Sequence, residues 1–500
     1  MEKNENEFKV YRSRWVILSV FCALEMSNAL LWVTFAPISD LAQIYFGGKS
    51  SYYGSTTSIN MMANIFLILY GPGTLLAVGS MKYFKLRKTM LIGGVLTVLG
   101  SLLRVIGMSQ SSSLGPGNTY IVVLMGQSLA ALSQPLFLNL PPALAAIWFP
   151  VSERDLSTTV GSMCSPIGNA IGQIIPILLV TKSSTSSNIS DDDGQYTVSG
   201  MTDLMIVELV LCIIPLILAV FLFSDKPPTP PSNSTQHKRA HSNQETNNNY
   251  DGMSILLQQD RNFNVSDSEE ADSLQEVWLK LKREATILFG NRNYIVLFIA
   301  FSIGVGFFNS LLTLLNQIVA PHGYSNDDAG TFGAVFVAFG LVGAGVVGYV
   351  MKITKAYQQI LRVGISLCCV SLVLFTVLLY SNNFWPLLFS FGLLGLTIVP
   401  MLPLLMENCA ESTYPIDEEV SMGFMFVGSN LLGLGFIFSL QYLLELPSLG
   451  PAPLLPSNLF MWVAFLVAWG LLVGLFQADY RRQVFDGQEQ QKEGLASRLL

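Results

Sequence analysis

Twelve apolar runs, each long enough to cross a lipid bilayer as a helix, divide this 500-residue chain. A transmembrane helix needs about 20 mostly apolar residues, and a lone strand cannot satisfy its backbone hydrogen bonds in lipid. The alternating pattern of a membrane β-barrel is absent. The sequence therefore predicts an all-α membrane protein. Its predicted spans are residues 15–38, 59–81, 89–108, 119–148, 157–180, 202–224, 291–319, 329–351, 359–380, 384–406, 419–444 and 458–477.

The shortage of charged residues excludes a water-soluble protein of this size. Only 12% of the residues are charged and 51% are apolar, whereas soluble domains carry about 25% charged residues. The net charge of −7 provides no basic surface for nucleic acid. We therefore expect the lipid bilayer and a small-molecule solute as partners, no nucleic acid, and a monomer.

The distribution of lysine and arginine predicts the orientation of the spans. With both termini in the cytoplasm, 24 of the 27 cations fall on the inner side. Only Lys49 and Lys182 lie outside, and Arg104 sits at the end of the third span. Positive residues favour the cytoplasmic side of a membrane. We expect cytoplasmic tails at 1–14 and 479–500.

One long polar stretch, residues 225–285, separates the six-span halves 15–224 and 286–478. Its proline pairs and its asparagine, serine and glutamine tract indicate a disordered cytoplasmic linker. Among the glycosylation sequons, only Asn188 falls in an outer loop. We find no metal-ligand spacing, nucleotide loop or nucleophile–base set, so we expect no metal, no cofactor and no enzyme activity.

The two halves resemble each other at equivalent places. Phe149-Pro150 with Glu153 follows span 4, and Tyr414-Pro415 with Glu418 follows span 10. Glycine-rich runs end at lysine after both span 2 and span 8. Six-plus-six parallel repeats are the design of major facilitator transporters, which bind solute at the midplane between halves and move it by alternating access. The pattern therefore predicts the major facilitator fold.

Polar residues inside the spans are candidate site residues, because a charge in lipid costs about 2.5–3.5 kcal/mol on insertion scales. Glu25 and Trp32 share one helical face of span 1, and Trp32 with Gln134 is interpreted as lining a cavity. For Glu25, an interhelical bond and a proton or cation site remain equal alternatives, and Glu407 is a further candidate coupling site. We interpret the following as structural, through interhelical hydrogen bonds or through snorkelling to the membrane surface: Gln127, Asn316, Glu208 and Glu411.

Several motifs resemble solute carrier family 49, the group related to the feline leukaemia virus subgroup C receptor. Span 1 carries Ser27-Asn28-Ala-Leu-Leu-Trp32, and span 4 carries Gly126-Gln127 through Gln134. Further matches are Trp148-Phe149-Pro150, Glu407-Asn-Cys-Ala-Glu411 through Pro415, and Tyr480-Arg481-Arg482. Ala36-Pro37 and Ser165-Pro166-Ile-Gly168 resemble most the branch of major facilitator superfamily domain-containing protein 7.

The resemblance implies a solute site. In the family's choline and ethanolamine carriers, a span 1 tryptophan and a span 4 glutamine line the site, and these positions are Trp32 and Gln134. The family's span 7 tyrosine is replaced by Asn309, which follows Phe308, and its span 11 glutamine by Asn430. An indole face suits a quaternary ammonium, while Asn309 in place of an aromatic wall suggests a more polar solute than choline.

The resemblance also implies a gate at the cytoplasmic side. The family's aspartates at the ends of spans 2 and 8 contact basic groups, and lysines replace them here, so the gate must be rebuilt. The expected gating residues are Lys82, Arg87, Glu153, Arg154, Lys352 and Glu418.

The function predicted from the sequence is alternating-access transport of a small organic solute, such as a choline- or ethanolamine-like amine or a related polar metabolite. Haem export or import is one alternative, because the family has been described in those terms. A non-transporting membrane sensor or scaffold is another. A plasma-membrane location is favoured over an endolysosomal or other internal membrane.

Overall fold

A computed structural model describes residues 10–47, 51–150, 153–184, 196–229, 282–413, 416, 418–446 and 456–477. Most of the predicted linker, the sequon at Asn188 and the predicted C-terminal tail lie outside the described residues.

Twelve helices in the described residues are long and apolar enough to span a membrane, which confirms the predicted number. The spans are Ser13–Val33, Thr56–Met81, Tyr83–Ser109, Ser111–Leu138, Leu156–Leu179, Met201–Leu222, Arg292–His322, Asp327–Thr354, Tyr357–Ser381, Phe384–Thr413, Val420–Leu444 and Pro456–Leu475. We number them span 1 to span 12. Span 1 begins and span 12 ends at one side of the bundle, here called the terminal end, and the opposite side is the distal end. That the terminal end is cytoplasmic stays a prediction from the cations.

The observed bounds of two spans differ from the predicted ones, and a proline lies at or near each difference. The continuous span predicted at 119–148 is interrupted: the helix Ser111–Ser133 gives way to short helices at Pro135–Leu138 and Pro141–Trp148. Proline lacks a backbone N–H and clashes with the preceding turn, so it breaks the helix. Span 1 was predicted to reach residue 38 but ends at Val33, shortly before Pro37.

Short elements connect the spans. Helix Ser39–Tyr45 follows span 1, and residues 282–290 form a helix ahead of span 7. At the distal end, strand β1 (Thr181–Ser184) pairs antiparallel with β2 (Tyr196–Ser199) between spans 5 and 6. The chain passes from span 2 into span 3 with a break in helical geometry at Lys85, near the start of span 3, where the φ of 62° is unusual for a residue with a side chain.

The same helix pairing recurs in each half. In the first half, span 1 packs on span 5, where a Cβ at Gly168 or Gly172 would lie 2.5 Å from a carbonyl oxygen of span 1. In the second half, span 7 packs on span 11, where Gly306 faces Gly433. Small residues allow this close approach in membranes. Because spans 1 and 5 correspond to spans 7 and 11, the packing agrees with the repeat predicted from sequence.

A buried ion pair ties spans 3 and 6 together in the distal part of the first half. Arg104 Nη2 lies 2.8 Å from Glu208 Oε2, and both side chains are fully buried. Thr34 Oγ1 donates to Glu208 Oε1 at 2.7 Å, and the Arg104 guanidinium lies 5.7 Å from the centre of the Phe35 ring. The structural role predicted for Glu208 fits this contact, although the sequence did not identify Arg104 as its partner.

The two halves touch at both ends of the bundle. At the distal end, Asn60 donates to Gln441 Oε1 at 3.2 Å and accepts from Gln317 Nε2 at 3.0 Å. Asn316 donates to Ser39 Oγ at 3.2 Å close by. Nearer the terminal end the contact is less polar: the rings of Tyr70 and Phe426 lie 6.0 Å apart, and Gly423 packs beside Thr74. The centre of the molecule is therefore enclosed between two contact zones.

Candidate functional site

A cavity of about 90 Å³ lies between the halves near the middle of the spans. Its aromatic lining comprises Trp32, Phe301, Phe308, Phe426 and Phe465. Its polar lining comprises Gln134, Ser165, Asn169, Asn309 and Asn430. The lining residues, within the part of the chain that the structure describes, carry no formal charge. An uncharged wall of rings and amides suits a small polar solute better than a strongly anionic one.

Trp32 stands at the C-terminal end of span 1, where the helix stops ahead of Pro37 and the indole enters the cavity. The residue is only 5% exposed. Its Nε1 atom is buried and has no hydrogen-bonding partner in the part of the chain that the structure describes. A buried indole N–H normally finds an acceptor, so this donor is available to a molecule in the cavity.

Asn169 supplies a matching acceptor from span 5. The residue is 2% exposed, and no described residue hydrogen-bonds its buried Oδ1 atom. Sequence reasoning overlooked it, although it directly follows the Ser165-Pro166-Ile-Gly168 motif. The available signal was an amide inside an apolar span beside a proline kink. The cavity thus holds one unpaired donor and one unpaired acceptor from different helices.

The amides of the second half lie on the closely packed pair of spans 7 and 11. Asn309 and Asn430 both line the cavity. Asn430 Nδ2 donates to the carbonyl oxygen of Phe426 at 2.7 Å, within its own helix. That bond uses the amide's nitrogen, so its oxygen is the group oriented for other contacts. Gln134, half-buried at the break in span 4, faces them from the first half.

The structure brings the five predicted solute-site residues to the lining of one cavity: Trp32, Gln134, Phe308, Asn309 and Asn430. The two candidate coupling residues are not in that lining. Glu25 is buried two helical turns from Trp32, toward the terminal end, and Glu407 is buried in span 10.

Three of the predicted structural polar residues, Gln127, Asn316 and Glu208, contact other helices. Gln127 Nε2 donates to the carbonyl oxygens of Leu31 and Met62, which belong to spans 1 and 2. Asn28, on the same face as Trp32, donates from Nδ2 to span 3 and span 4 acceptors at 2.7–3.1 Å. The side chains of Gln127 and Asn28 connect the helices of the first half, and neither belongs to the cavity lining.

The predicted gating residues of the first half whose side chains are described make contacts within that half. Glu153 accepts from Arg14 Nε at 2.9 Å and from Arg14 Nη2 at 3.2 Å. Arg87 donates to the carbonyl oxygen of Val220 at 2.9 Å. Arg154 is buried and lies near the Phe149 carbonyl, and Lys352 is exposed at the end of span 8. The side chains of Lys82 and Glu418 lie outside the described set.

Comparison with known families decides the identity of the fold. Residues 17–437 match the family model described as Major Facilitator Superfamily. The chain belongs to the major facilitator superfamily. Among solved structures, this major facilitator protein resembles the E. coli fucose:proton symporter, with 12% identity and a TM-score of 0.57 over 92% of this chain and 99% of that one. It resembles a D-xylose–proton symporter equally, with 11% identity, a TM-score of 0.57, and coverage of 93% and 97%. At these identities the likeness shows the fold alone.

Curated relatives confirm the resemblance to solute carrier family 49. Solute carrier family 49 member A3 of Xenopus tropicalis is 27% identical, across 95% of this chain and 89% of that protein. The human choline/ethanolamine transporter FLVCR2 is 28% identical, across 95% and 79%. The predicted class of function is therefore confirmed: the chain is a multi-pass membrane protein that transports a solute.

Proposed function

We propose that this transporter carries a small polar organic amine, of the ethanolamine or choline type, by alternating access through the central cavity. The observation that supports this proposal is a pair of atoms without partners among the described residues, on two residues that line an uncharged, aromatic cavity. They are the N–H of Trp32 and the Oδ1 of Asn169. An alkanolamine supplies the complement of both, since its hydroxyl accepts from the indole and its ammonium donates to the amide oxygen. The similarity to the human choline/ethanolamine transporter FLVCR2 supports the same class of solute.

The aromatic lining supports a cationic head group. A cation within about 6 Å of an aromatic ring centre gains about 0.5–2 kcal/mol, and most when it is shielded from water. Trp32 and Phe308 provide such faces without a carboxylate, so the cation need not displace an ion pair. Asn309 adds hydrogen-bonding capacity at a wall of the cavity. This favours a primary ammonium, with N–H groups to donate, over a fully methylated one.

The test is uptake of radiolabelled ethanolamine and choline into proteoliposomes, with wild type compared to Trp32→Ala. We expect uptake of ethanolamine above choline, and a loss of about tenfold or more on removal of the indole, equivalent to about 1.4 kcal/mol. Trp385→Ala is the matched control, because that indole is 73% exposed on span 10 and outside the cavity. Equal uptake by wild type and Trp32→Ala would remove Trp32 from the site.

A further inference from the structure

Glu25 is a buried acid without a partner in the membrane-spanning part of this transporter. The residue is only 2% exposed, and neither carboxyl oxygen has a hydrogen-bonding partner among the described residues. Leaving an ionised carboxylate in that state costs several kcal/mol or more. The arrangement is therefore compatible with the neutral, protonated carboxyl and strongly unfavourable for the anion.

The same chain shows what a structural buried glutamate looks like. Glu208, equally deep in the first half, is paired with the Arg104 guanidinium at 2.8 Å and accepts from Thr34 at 2.7 Å. Glu25 has neither kind of partner. An interhelical bond, one of the two roles expected from the sequence, is absent for Glu25 in this conformation among the residues described.

Few ionisable groups surround Glu25. Those within electrostatic range in the described structure are Cys22 on its own helix, Tyr70 on span 2 and Cys164 on span 5. None of these carries a positive charge that would stabilise a carboxylate. Spans 3 and 6 also pack on span 1, and their ionisable groups in the membrane contact span 1 elsewhere: Arg104 and Glu208 at Thr34, and Cys212 at the Ser27 carbonyl.

The neighbourhood of Glu25 lies against the surface where the halves meet toward the terminal end. The Tyr70 hydroxyl donates to Asn139 Oδ1 at 2.7 Å, while Asn139 Nδ2 is buried without a partner. On its other side, the Tyr70 ring faces Phe426 of span 11, and Gly423 of the same span lies near Asn139. Opening of the terminal end must separate these residues, which would admit water to the Tyr70–Asn139 region and to Glu25.

We propose that Glu25 is a proton-binding site of the transport cycle, which must be occupied for the terminal end to close. A proton from water at the open terminal end bonds to a Glu25 carboxyl oxygen before closure, and that O–H bond breaks to return the proton to water when the site is hydrated again. This inference rests on the proposed transport cycle, but the state of the carboxyl is measurable without any solute.

Infrared spectroscopy of the purified protein tests the protonation directly. We expect a protonated-carboxyl band in wild type at neutral pH that is missing from Glu25→Gln and retained in Asp203→Asn, which removes an exposed acid at the start of span 6. Glu25→Leu replaces the glutamine variant if that variant does not fold. A wild-type spectrum that matches the variant in this region overturns the proposal, whichever solute is transported.

Flux measurements test the role in the cycle. Uptake of ethanolamine and choline by wild type should fall severalfold as the pH rises, because the ionised acid holds the terminal end open. Glu25→Gln should lose that pH dependence, and Asp203→Asn should keep it. Persistence of the pH dependence in Glu25→Gln overturns the coupling. If neither amine is transported, the substrate proposal fails, and the infrared band still decides whether Glu25 is protonated.

Discussion

At the scale of single residues, we propose different roles for two buried asparagines of this protein, one in stability and one in ligand binding. Asn28 donates at 2.7–3.1 Å to three acceptors on two neighbouring spans, and so stabilises the first half. Asn169 is as deeply buried but leaves its Oδ1 without a partner at the cavity. A polar atom left unsatisfied in the folded state costs about 1–3 kcal/mol, so Asn169 is better explained by ligand binding than by stability.

Asn169→Leu should therefore affect transport and stability in opposite directions. The KM for the amine should rise about tenfold with the loss of one hydrogen bond, while the midpoint of thermal unfolding in detergent should stay level or rise. Uptake kinetics and a thermal melt measure the two effects.

Asn28→Leu is the control for Asn169→Leu. It should lower the unfolding midpoint, because it removes an amide that joins span 1 to acceptors on spans 3 and 4. A lower midpoint for Asn169→Leu with an unchanged KM would instead make Asn169 a structural residue.

At the scale of helices, the sequence predicted the spans well because hydropathy and length alone determine which segments cross a bilayer. It failed where local backbone chemistry interrupts an apolar run, as at Pro135 in span 4, since an apolar composition does not report a broken hydrogen-bond ladder. It also did not pair Arg104 with Glu208, because the contact depends on how spans 3 and 6 pack.

Gly168→Ala tests the packing of span 1 on span 5. The added Cβ would lie 2.5 Å from the Met26 carbonyl oxygen and 2.8 Å from the Ala29 side chain, so the helices must separate. We expect a loss of about 1–3 kcal/mol, as for other overpacked sites, seen as a lower midpoint of thermal unfolding.

Gly79→Ala supplies the comparison for Gly168→Ala. A Cβ at Gly79 in span 2 meets nothing within 4 Å, so this variant should be neutral or slightly more stable. Similar unfolding midpoints for the two variants would show that the contact between spans 1 and 5 tolerates a wider spacing.

At the scale of the whole molecule, the position of the candidate site could be predicted from the sequence, but only some of its residues could. Trp32 and Gln134 came from the residues and from the family resemblance, and Phe308, Asn309 and Asn430 from the resemblance alone. All five line one cavity because the repeat places spans 1, 4, 7 and 11 around the centre. Their role in binding stays a proposal. The unpaired state of Asn169 was beyond sequence reasoning, since it depends on which neighbours fail to reach it.

Asn60→Ala should shift the molecule toward opening at the distal end. Asn60 makes two hydrogen bonds between the halves, to Gln441 and from Gln317. Their loss should favour the distal-open state by about 1–3 kcal/mol, a change of about five- to 150-fold in the equilibrium. Spin labels at exposed Tyr52 and Ser325, one on each half, should report longer distances by electron resonance.

Asn118→Ala is the matched variant, because Asn118 donates only to the Leu114 carbonyl within span 4. It should leave the distance distribution unchanged. An unaltered distribution in Asn60→Ala as well would mean that the polar contacts at the distal end do not hold the halves together.

The ion pair between Arg104 and Glu208 has a consequence for how the protein inserts into the membrane during its synthesis. The arginine is synthesised with span 3, and its carboxylate arrives only with span 6, about a hundred residues later. Until then an unpaired guanidinium must stay out of the hydrocarbon, at a cost of about 2.5–3.5 kcal/mol if it entered alone. We therefore expect span 3 to reach its final position in the bilayer only after span 6 has been synthesised, so that the first six helices assemble as one unit.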